Sequence, residues 1–296
     1  MATSRRRVAV LGPGRVGSAL AQALTRGGDR IVAVMDGGGG SAVALASQIA
    51  GCVVASNPVE AVAKATHVLV TAPDDAIVAL VTEVALADGW REGQHVVHCS
   101  GAAGLAVLER ARLSGARVAA CHPAQTVPRG AGADDLLGVA WAVTAAPSDR
   151  AWAHDLVTAA GGDPFDLSED ARVLYHAALS IGSNAVGAAV AVARQLLLGA
   201  RVDAPDRILT PLIEASVRNV LADGAGALTG PVVRGDVGTV ARHLGALDGD
   251  VPRLGQAYRS LQSVVLDQVA GGLSGDDAAA IRALLADGRQ EQPWNE

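Results

Sequence analysis

The run Val8-Ala9-Val10-Leu11-Gly12-Pro13-Gly14-Arg15-Val16-Gly17-Ser18-Ala19-Leu20 constrains the fold more than any other part of the chain. Four apolar residues of strand type lead into glycines at the first, third and sixth positions of a turn, and a helix pattern follows. Such spacing suits a strand–turn–helix unit in which the first glycine makes the turn, the second lets a pyrophosphate approach the backbone and the third lets helix and strand pack closely. In a chain with 35 glycines the spacing alone says little. Its context says more, because Asp36 closes the next strand pattern about 20 residues beyond Gly17, where an acid holds an adenosine ribose.

The rest of the first half repeats the alternation. Strand patterns fall at 7–11, 30–36, 52–55, 67–72, 95–99, 118–121, 140–144 and 164–167, with helical stretches such as 17–25, 43–49, 75–87 and 105–114 between them. Apolar strands alternating with helices predict a mainly parallel sheet covered on both faces. From Ser168 onward only helices are expected: a long one capped by Ser168 and ending near Gly199, one over 203–222, and others starting at Val237, Pro252 and Asp276, the last capped by Ser274. The expected class is therefore α/β, with an N-terminal dinucleotide-binding domain at 1–167 and an all-α domain at 168–296 for substrate and dimerisation.

Composition narrows the partners. A length of 296 residues suits two domains, and a net charge of −6 gives no basic surface for nucleic acid. Arg5, Arg6 and Arg7 resemble a twin-arginine signal, but too short an apolar run follows before Gly12. The most apolar later stretch, Leu179 to Ala193, falls short of the roughly 20 residues that span a bilayer. A cytoplasmic protein without a membrane span is expected. Three cysteines fit packed thiols better than a disulfide framework. His95, His98, Cys99, Cys121 and His122 invite a zinc reading, yet His95 and His98 lie three apart on a strand and face opposite sides, so no metal site is expected.

The candidate cofactor residues follow from the turn. Gly12, Pro13, Gly14, Arg15, Val16 and Gly17 would receive the pyrophosphate on free amides, and Asp36 would meet the ribose. Asp36 repels a 2′-phosphate and no cation follows in Gly37–Gly40, so the choice between NAD and NADP leans toward NAD. Carboxyl ends of parallel strands line the ligand crevice, which adds Ala72, Pro73, Asp75, Ser100 and Gly101. Asp74 reads as a helix N-cap.

The stretch Tyr175 to Ala193 is a helix of Ala and Val that carries His176, Ser180, Ser183 and Asn184 on about a third of its circumference. An unpaired buried polar group costs about 1–3 kcal/mol, so this stripe needs water, polar partners or a ligand. Together with Cys121-His122-Pro123-Ala124-Gln125 and Leu228-Thr229-Gly230-Pro231-Val232-Val233-Arg234-Gly235-Asp236, it suggests a cleft between the domains.

These strings, namely GPGRVG, APDDAI, HCSGA, HPAQT, the YHAA…SN helix and above all ALTGPVVRGDVGTVARHLGAL, make the chain similar to the Rossmann-like proteins with a helical C-terminal domain of the type called domain of unknown function 2520. The resemblance covers nearly the whole chain. It implies a C-terminal domain like that of 6-phosphogluconate dehydrogenase, and an activity like the alternative ketopantoate reductase of pantothenate synthesis. The wider group of β-hydroxyacid dehydrogenases and pyrroline-5-carboxylate reductases is nicotinamide-dependent. Its dehydrogenases place a catalytic Lys four residues before an Asn on the first long helix of the second domain. If Asn184 is that Asn, the position holds Ser180, and the only lysine of the chain is Lys64.

Reduction of a carbonyl needs a proton donor, and a substrate carboxylate needs a cation. His176 is the expected donor, with His122 as the other available acid. Ser183 and Asn184 would hydrogen-bond the carbonyl oxygen, and Arg234, held by Asp236, would grip the carboxylate. The bland alternatives are a structural His176, a helix-capping Asp236 and an Arg234 that braces its loop. The expected function is thus NAD(P)-dependent reduction of a small oxo-acid by a homodimer that pairs through the small residues Ala185 to Ala193. A cyclic imine reductase, or a nucleotide-binding sensor that lost turnover with its lysine, is the competing expectation.

Overall fold

The computed structural model describes residues 5–286 and contains no cis peptide bond among them. The chain alternates strands and helices through its first half: β1 (Arg7–Leu11), α1 (Arg15–Arg26), β2 (Arg30–Met35), α2 (Ser41–Ala46), β3 (Val53–Val54), α3 (Pro58–Val62), β4 (His67–Val70), α4 (Asp74–Leu86), β5 (His95–His98), α5 (Glu109–Leu113), β6 (Arg117–Pro123), β7 (Ala140–Ala145), α6 (Arg150–Ala159) and β8 (Asp163–Asp166). The second half is helical: α7 (Arg172–Ser180), a π-helical segment (Ile181–Ala185), α8 (Val186–Gly199), α9 (Pro205–Asp223), α10 (Val237–Asp250), α11 (Pro252–Val269) and α12 (Gly275–Ala286).

All eight expected strands form. They build one sheet in the order β3-β2-β1-β4-β5-β6-β7-β8, parallel throughout except for the antiparallel pairing of β6 with β7. Side chains alternate across a strand, and both faces of β1 are buried. Val8 and Val10 join the core under α1, α2 and α6, while Ala9 and Leu11 join the core under α3, α4 and α5. The order reverses direction beside β1, so a crevice opens between β1 and β4 at the carboxyl ends of the strands.

Contacts divide the chain into two compact units between Ser180 and Ile181, so α7 belongs with the sheet. In the second unit, α10, α11 and α12 enclose Val240, Leu244, Leu266, Ile281 and Leu285. Ser274 caps α12 as expected, accepting from the Asp277 amide at 3.1 Å.

Two expectations about the long helix are corrected. It starts at Arg172, not at a Ser168 cap, because residues 168–171 form a turn in which the Ala171 amide donates to the Ser168 carbonyl. Its α-periodicity is also interrupted: Ser183 and Asn184 lie on the π-helical segment, whose wider turn shifts the phase on which the single polar stripe was reckoned. With that segment the helix runs from Arg172 to Gly199, 28 residues, which by length and composition is enough to cross a membrane. The stretch Leu179 to Ala193 covers only the most apolar part of it.

Leu69, on the central strand β4, has no exposed surface. Leu69→Ala should lower the unfolding free energy by about 2–5 kcal/mol, read from a urea titration. A loss below about 1 kcal/mol would mean that this core relaxes around the cavity.

Candidate active site

The glycine turn is shaped by what each glycine meets. Gly12 has φ +81°, and a Cβ there would lie 2.6 Å from the Ala72 backbone. Gly17 is buried against Thr71, whose hydroxyl donates to the Gly12 carbonyl at 2.7 Å. Gly14 differs, since its only near neighbour would be the Gly12 carbonyl at 4.0 Å. The turn is tight where strand and helix meet and open where a ligand would enter. Pro13 is buried and its carbonyl accepts from the Ser18 hydroxyl at 2.9 Å, while Arg15 is exposed at the start of α1. The first amides of a helix have no acceptor within it, so those of Arg15, Val16 and Gly17 fit a pyrophosphate.

Asp36 follows β2 directly. Its carboxylate accepts from the Gly38 amide at 2.9 Å, the Ser41 hydroxyl at 2.8 Å and the Ala42 amide at 2.8 Å. These bonds hold its pKa below the ordinary carboxylate value, the Ala42 amide most strongly. Asp36 is therefore a fixed negative charge that folds the Gly37–Gly40 loop onto α2.

Ala72 and Pro73 sit in the turn between β4 and α4, Asp75 in the first turn of α4, and Ser100 and Gly101 in the loop after β5, on the same carboxyl edge. Asp74 does not cap α4, correcting that expectation. It is the first helical residue, and its carboxylate accepts from the Ser100 hydroxyl at 2.7 Å, tying the two loops together. Beneath them His98 is fully buried, with Nδ1 accepting from the Ser100 amide at 3.2 Å and Nε2 3.0 Å from the Gly104 carbonyl. These two partners fix its neutral tautomer with the proton on Nε2.

Arg172 has no exposed surface, and among the described residues no carboxylate pairs with it. Its guanidinium donates to the Ser100 carbonyl, the Ala103 carbonyl and the Thr144 hydroxyl, so it clamps the β5 loop to β7 and to α7. Tyr175 and His176 lie three and four residues on, the spacing that puts side chains on one helix face. Tyr175 Oη is 3.0 Å from His122 Nδ1, and its ring meets Phe165 edge-on at 6.1 Å. The His122 and His176 rings stand edge to face at 5.7 Å. Gly101 is wedged between them: a Cβ would reach 3.0 Å from His122 Nε2 and collide with the His176 ring. His122 and His176, on distant parts of the sequence, thus meet, and Tyr175, given no role by the sequence reading, completes the cluster. Its signal was its place directly before His176 at the start of the polar stripe.

Burial lowers the pKa of His122 to about 4, with His176 and then Arg172 acting in the same direction. Burial and Arg172 likewise lower His98 to about 4. Tyr175 is raised by burial, against the pull of Arg172. Burial pushes the Cys99 thiol up to about 12 and raises that of Cys121 as well, so neither is a ready nucleophile.

The remaining candidates lie in the second unit. Ser183 Oγ donates to Asn184 Oδ1 at 3.4 Å. Arg234 is exposed, with its amide donating to the Gly230 carbonyl. Asp236 caps α10, accepting from the Thr239 amide at 2.9 Å and the Thr239 hydroxyl at 2.7 Å. Those bonds, and after them the charges of Arg242 and Arg234, hold its pKa below the ordinary carboxylate value. Among the described residues no group of three or more His, Cys, Asp or Glu is arranged to hold a metal ion.

Residues 1–123 match the family model of a Rossmann-like domain, and residues 139–264 match the domain of unknown function DUF2520. No curated protein matches the chain. A solved structure from Bacteroides fragilis, assigned as an NADP oxidoreductase, is 25% identical with a TM-score of 0.76, over 88% of this chain and 98% of that one. An imine reductase from Myxococcus stipitatus in complex with NADP+ is 20% identical with a TM-score of 0.66, over 94% and 99% of the two chains. The Plasmodium falciparum pyrroline carboxylate reductase with NADP bound is 13% identical with a TM-score of 0.58, over 96% and 98%.

The buried histidines make stability depend on pH. In the unfolded chain they take up a proton near 6.5, in the folded protein only near 4. Between those values the unfolded chain binds more protons, so stability is complete above about 6.5 and falls as pH drops toward 4. Each such histidine contributes up to about 1.4 kcal/mol per pH unit. The melting temperature should fall from pH 7 to pH 5, and His122→Asn should flatten that fall. An equal slope in the variant would show that His122 is not held neutral by the fold.

Proposed function

We propose that this chain, which joins a Rossmann-like domain to a DUF2520 domain, is a reductase that uses a nicotinamide dinucleotide to reduce a small 2-oxo acid. The observation that carries the reading is the glycine turn, open only at Gly14, on the same edge of the sheet as the His122–Tyr175–His176 cluster. With the pyrophosphate on the amides of Gly12–Gly17 and the adenosine ribose toward Asp36 beyond β2, the other half of the cofactor runs the opposite way. It passes over Ala72, Pro73 and Asp75, then Ser100 and Gly101, toward His122. When bound there, the nicotinamide supplies a hydride. The chain's own groups supply the proton, and the buried Arg172 charge beneath the loop favours a site that holds an anion.

The family resemblance points to ketopantoate as the substrate, and the 25% identity to a structure assigned as an NADP oxidoreductase supports the reaction class. A cyclic imine acid is the second reading, in keeping with the fold shared with an imine reductase and a pyrroline carboxylate reductase. Against both stands a nucleotide-binding protein without turnover, suggested by Ser180 where the related dehydrogenases carry their lysine. Oxidation of NADH or NADPH by ketopantoate, other oxo-acids and cyclic imines separates these. If none oxidises either cofactor while both still raise the melting temperature, the reductase reading is wrong.

NADH is the preferred reductant on this reading, because the fixed Asp36 carboxylate stands where a 2′-phosphate would arrive and Gly37–Gly40 offers it no cation. Asp36→Ser should raise the ratio of kcat/KM for NADPH over NADH at least about tenfold, equivalent to about 1.4 kcal/mol. An unchanged ratio would remove Asp36 from the ribose.

The second unit supports self-association. Ile181, Leu212 and Leu221 are exposed on its helices, and its buried core is small. The protein should elute in light-scattering chromatography at twice its 29.7 kDa, and a monomer mass at micromolar concentration would reject the dimer.

A further inference from the structure

We infer that Tyr175 delivers the proton in this reaction and that His122, carrying its own proton on Nδ1, holds and recharges the tyrosine hydroxyl. The inference rests on the reductase reading above and moves the donor's role from His176 to its neighbour.

The geometry favours Tyr175. Its ring is held by Phe165 and His122, and among the described residues its hydroxyl has one partner, His122 Nδ1 at 3.0 Å. His176 is exposed, and among the described residues its side chain makes no hydrogen bond, only the edge-to-face contact with His122. A proton donor must be aimed, and of the two only Tyr175 is. The clamped Arg172 guanidinium one turn earlier on α7 sets the face on which the hydroxyl stands.

The orientation of the hydrogen bond follows from the role. If the hydroxyl donated to His122, its proton would be turned away from a ligand. With His122 Nδ1–H donating instead, the tyrosine O–H is free to point at the substrate. As hydride adds to the carbonyl carbon and the C=O π pair moves onto oxygen, the Tyr175 O–H bond breaks and its proton passes to that oxygen. The tyrosine oxygen then takes the Nδ1 proton of His122, and Nε2 takes one from water. A neutral imidazole is required to give at one nitrogen and take at the other, and burial keeps His122 neutral near pH 7. The charged and titratable groups acting on this pair are Arg172, His176, His98 and Asp74.

The chain has two tyrosines, so in a Tyr258→Phe background Tyr175 alone gives tyrosinate absorbance. In the cofactor-free protein, His122→Phe should raise the Tyr175 ionisation midpoint by about one pH unit, because a donor to the tyrosinate is lost. His122→Asn, whose amide N–H stands near the Nδ1 position, should restore it. A midpoint that stays or falls in His122→Phe overturns the assigned direction of the bond. In turnover, Tyr175→Phe should lower kcat with a ketone substrate about 10²-fold without weakening NADH binding, while the loss is smaller for an iminium substrate, which arrives protonated. Tyr258→Phe, which breaks the similar His243–Tyr258 pair in the second unit, should leave kcat as it is. Wild-type turnover with Tyr175→Phe within threefold of it, about 0.7 kcal/mol, overturns this inference alone. Absence of wild-type turnover with every oxo-acid and imine, cofactor bound, overturns the reductase reading and this inference with it.

Discussion

The buried Arg172 guanidinium is the interaction on which the site depends. A cation without exposed surface and without a carboxylate is tolerated only where hydrogen-bond acceptors surround it. Here two carbonyls of the β5 loop and the Thr144 hydroxyl do so, each such bond to a charged group worth about 1.5–3 kcal/mol. One side chain therefore fixes three elements at once. The β5 loop carries Ser100 and Gly101, α7 carries Tyr175 and His176, and Thr144 on β7 also donates to the Leu167 carbonyl before α7 begins. The same charge lowers the pKa of His98 and His122 and so helps keep both imidazoles neutral.

Two further constraints arrange the other side of the crevice. Gly12 and Gly17 are closed by Ala72 and Thr71, which joins the β1 turn to the end of β4, and Asp74 joins the start of α4 to the β5 loop through Ser100. The carboxyl ends of β1, β4 and β5 are thereby linked in sequence by side chains that hold the loops from below. Gly14 is left open, and Gly101 has room for nothing larger because two imidazoles flank it.

Much of the sheet was legible. Continuous apolar runs such as Val8–Leu11 bury both faces, and burial of both faces leaves a sequence signature that local chemistry cannot disguise. The glycine turn was legible because Gly12 and Gly17 answer a steric demand, with Ala72 and Thr71 packed against them. Arg172 was not, because an arginine in an Ala-rich helix reads as solvated until its carbonyl acceptors are placed around it by distant loops. The role of Asp74 depended likewise on Ser100 across the crevice. The π-helical segment at Ile181–Ala185 left no mark, since it is a change of backbone hydrogen bonding and not of residue type. Tyr175 was within reach, as an aromatic hydroxyl one residue before a histidine on a polar helix face. What sequence did not supply was its partner, His122, which arrives from β6.

The central claim is that a nicotinamide dinucleotide lies along this carboxyl edge, from Asp36 across the glycine turn to the His122–Tyr175–His176 cluster. A crystal structure of the protein soaked with NADH tests it most directly. The account predicts the pyrophosphate at Gly14 on the amides that open α1, the adenosine ribose beside Asp36, and the nicotinamide C4 atom facing Gly101 and the Tyr175 hydroxyl. A dinucleotide bound elsewhere, or one with its nicotinamide turned away from that cluster, would contradict it.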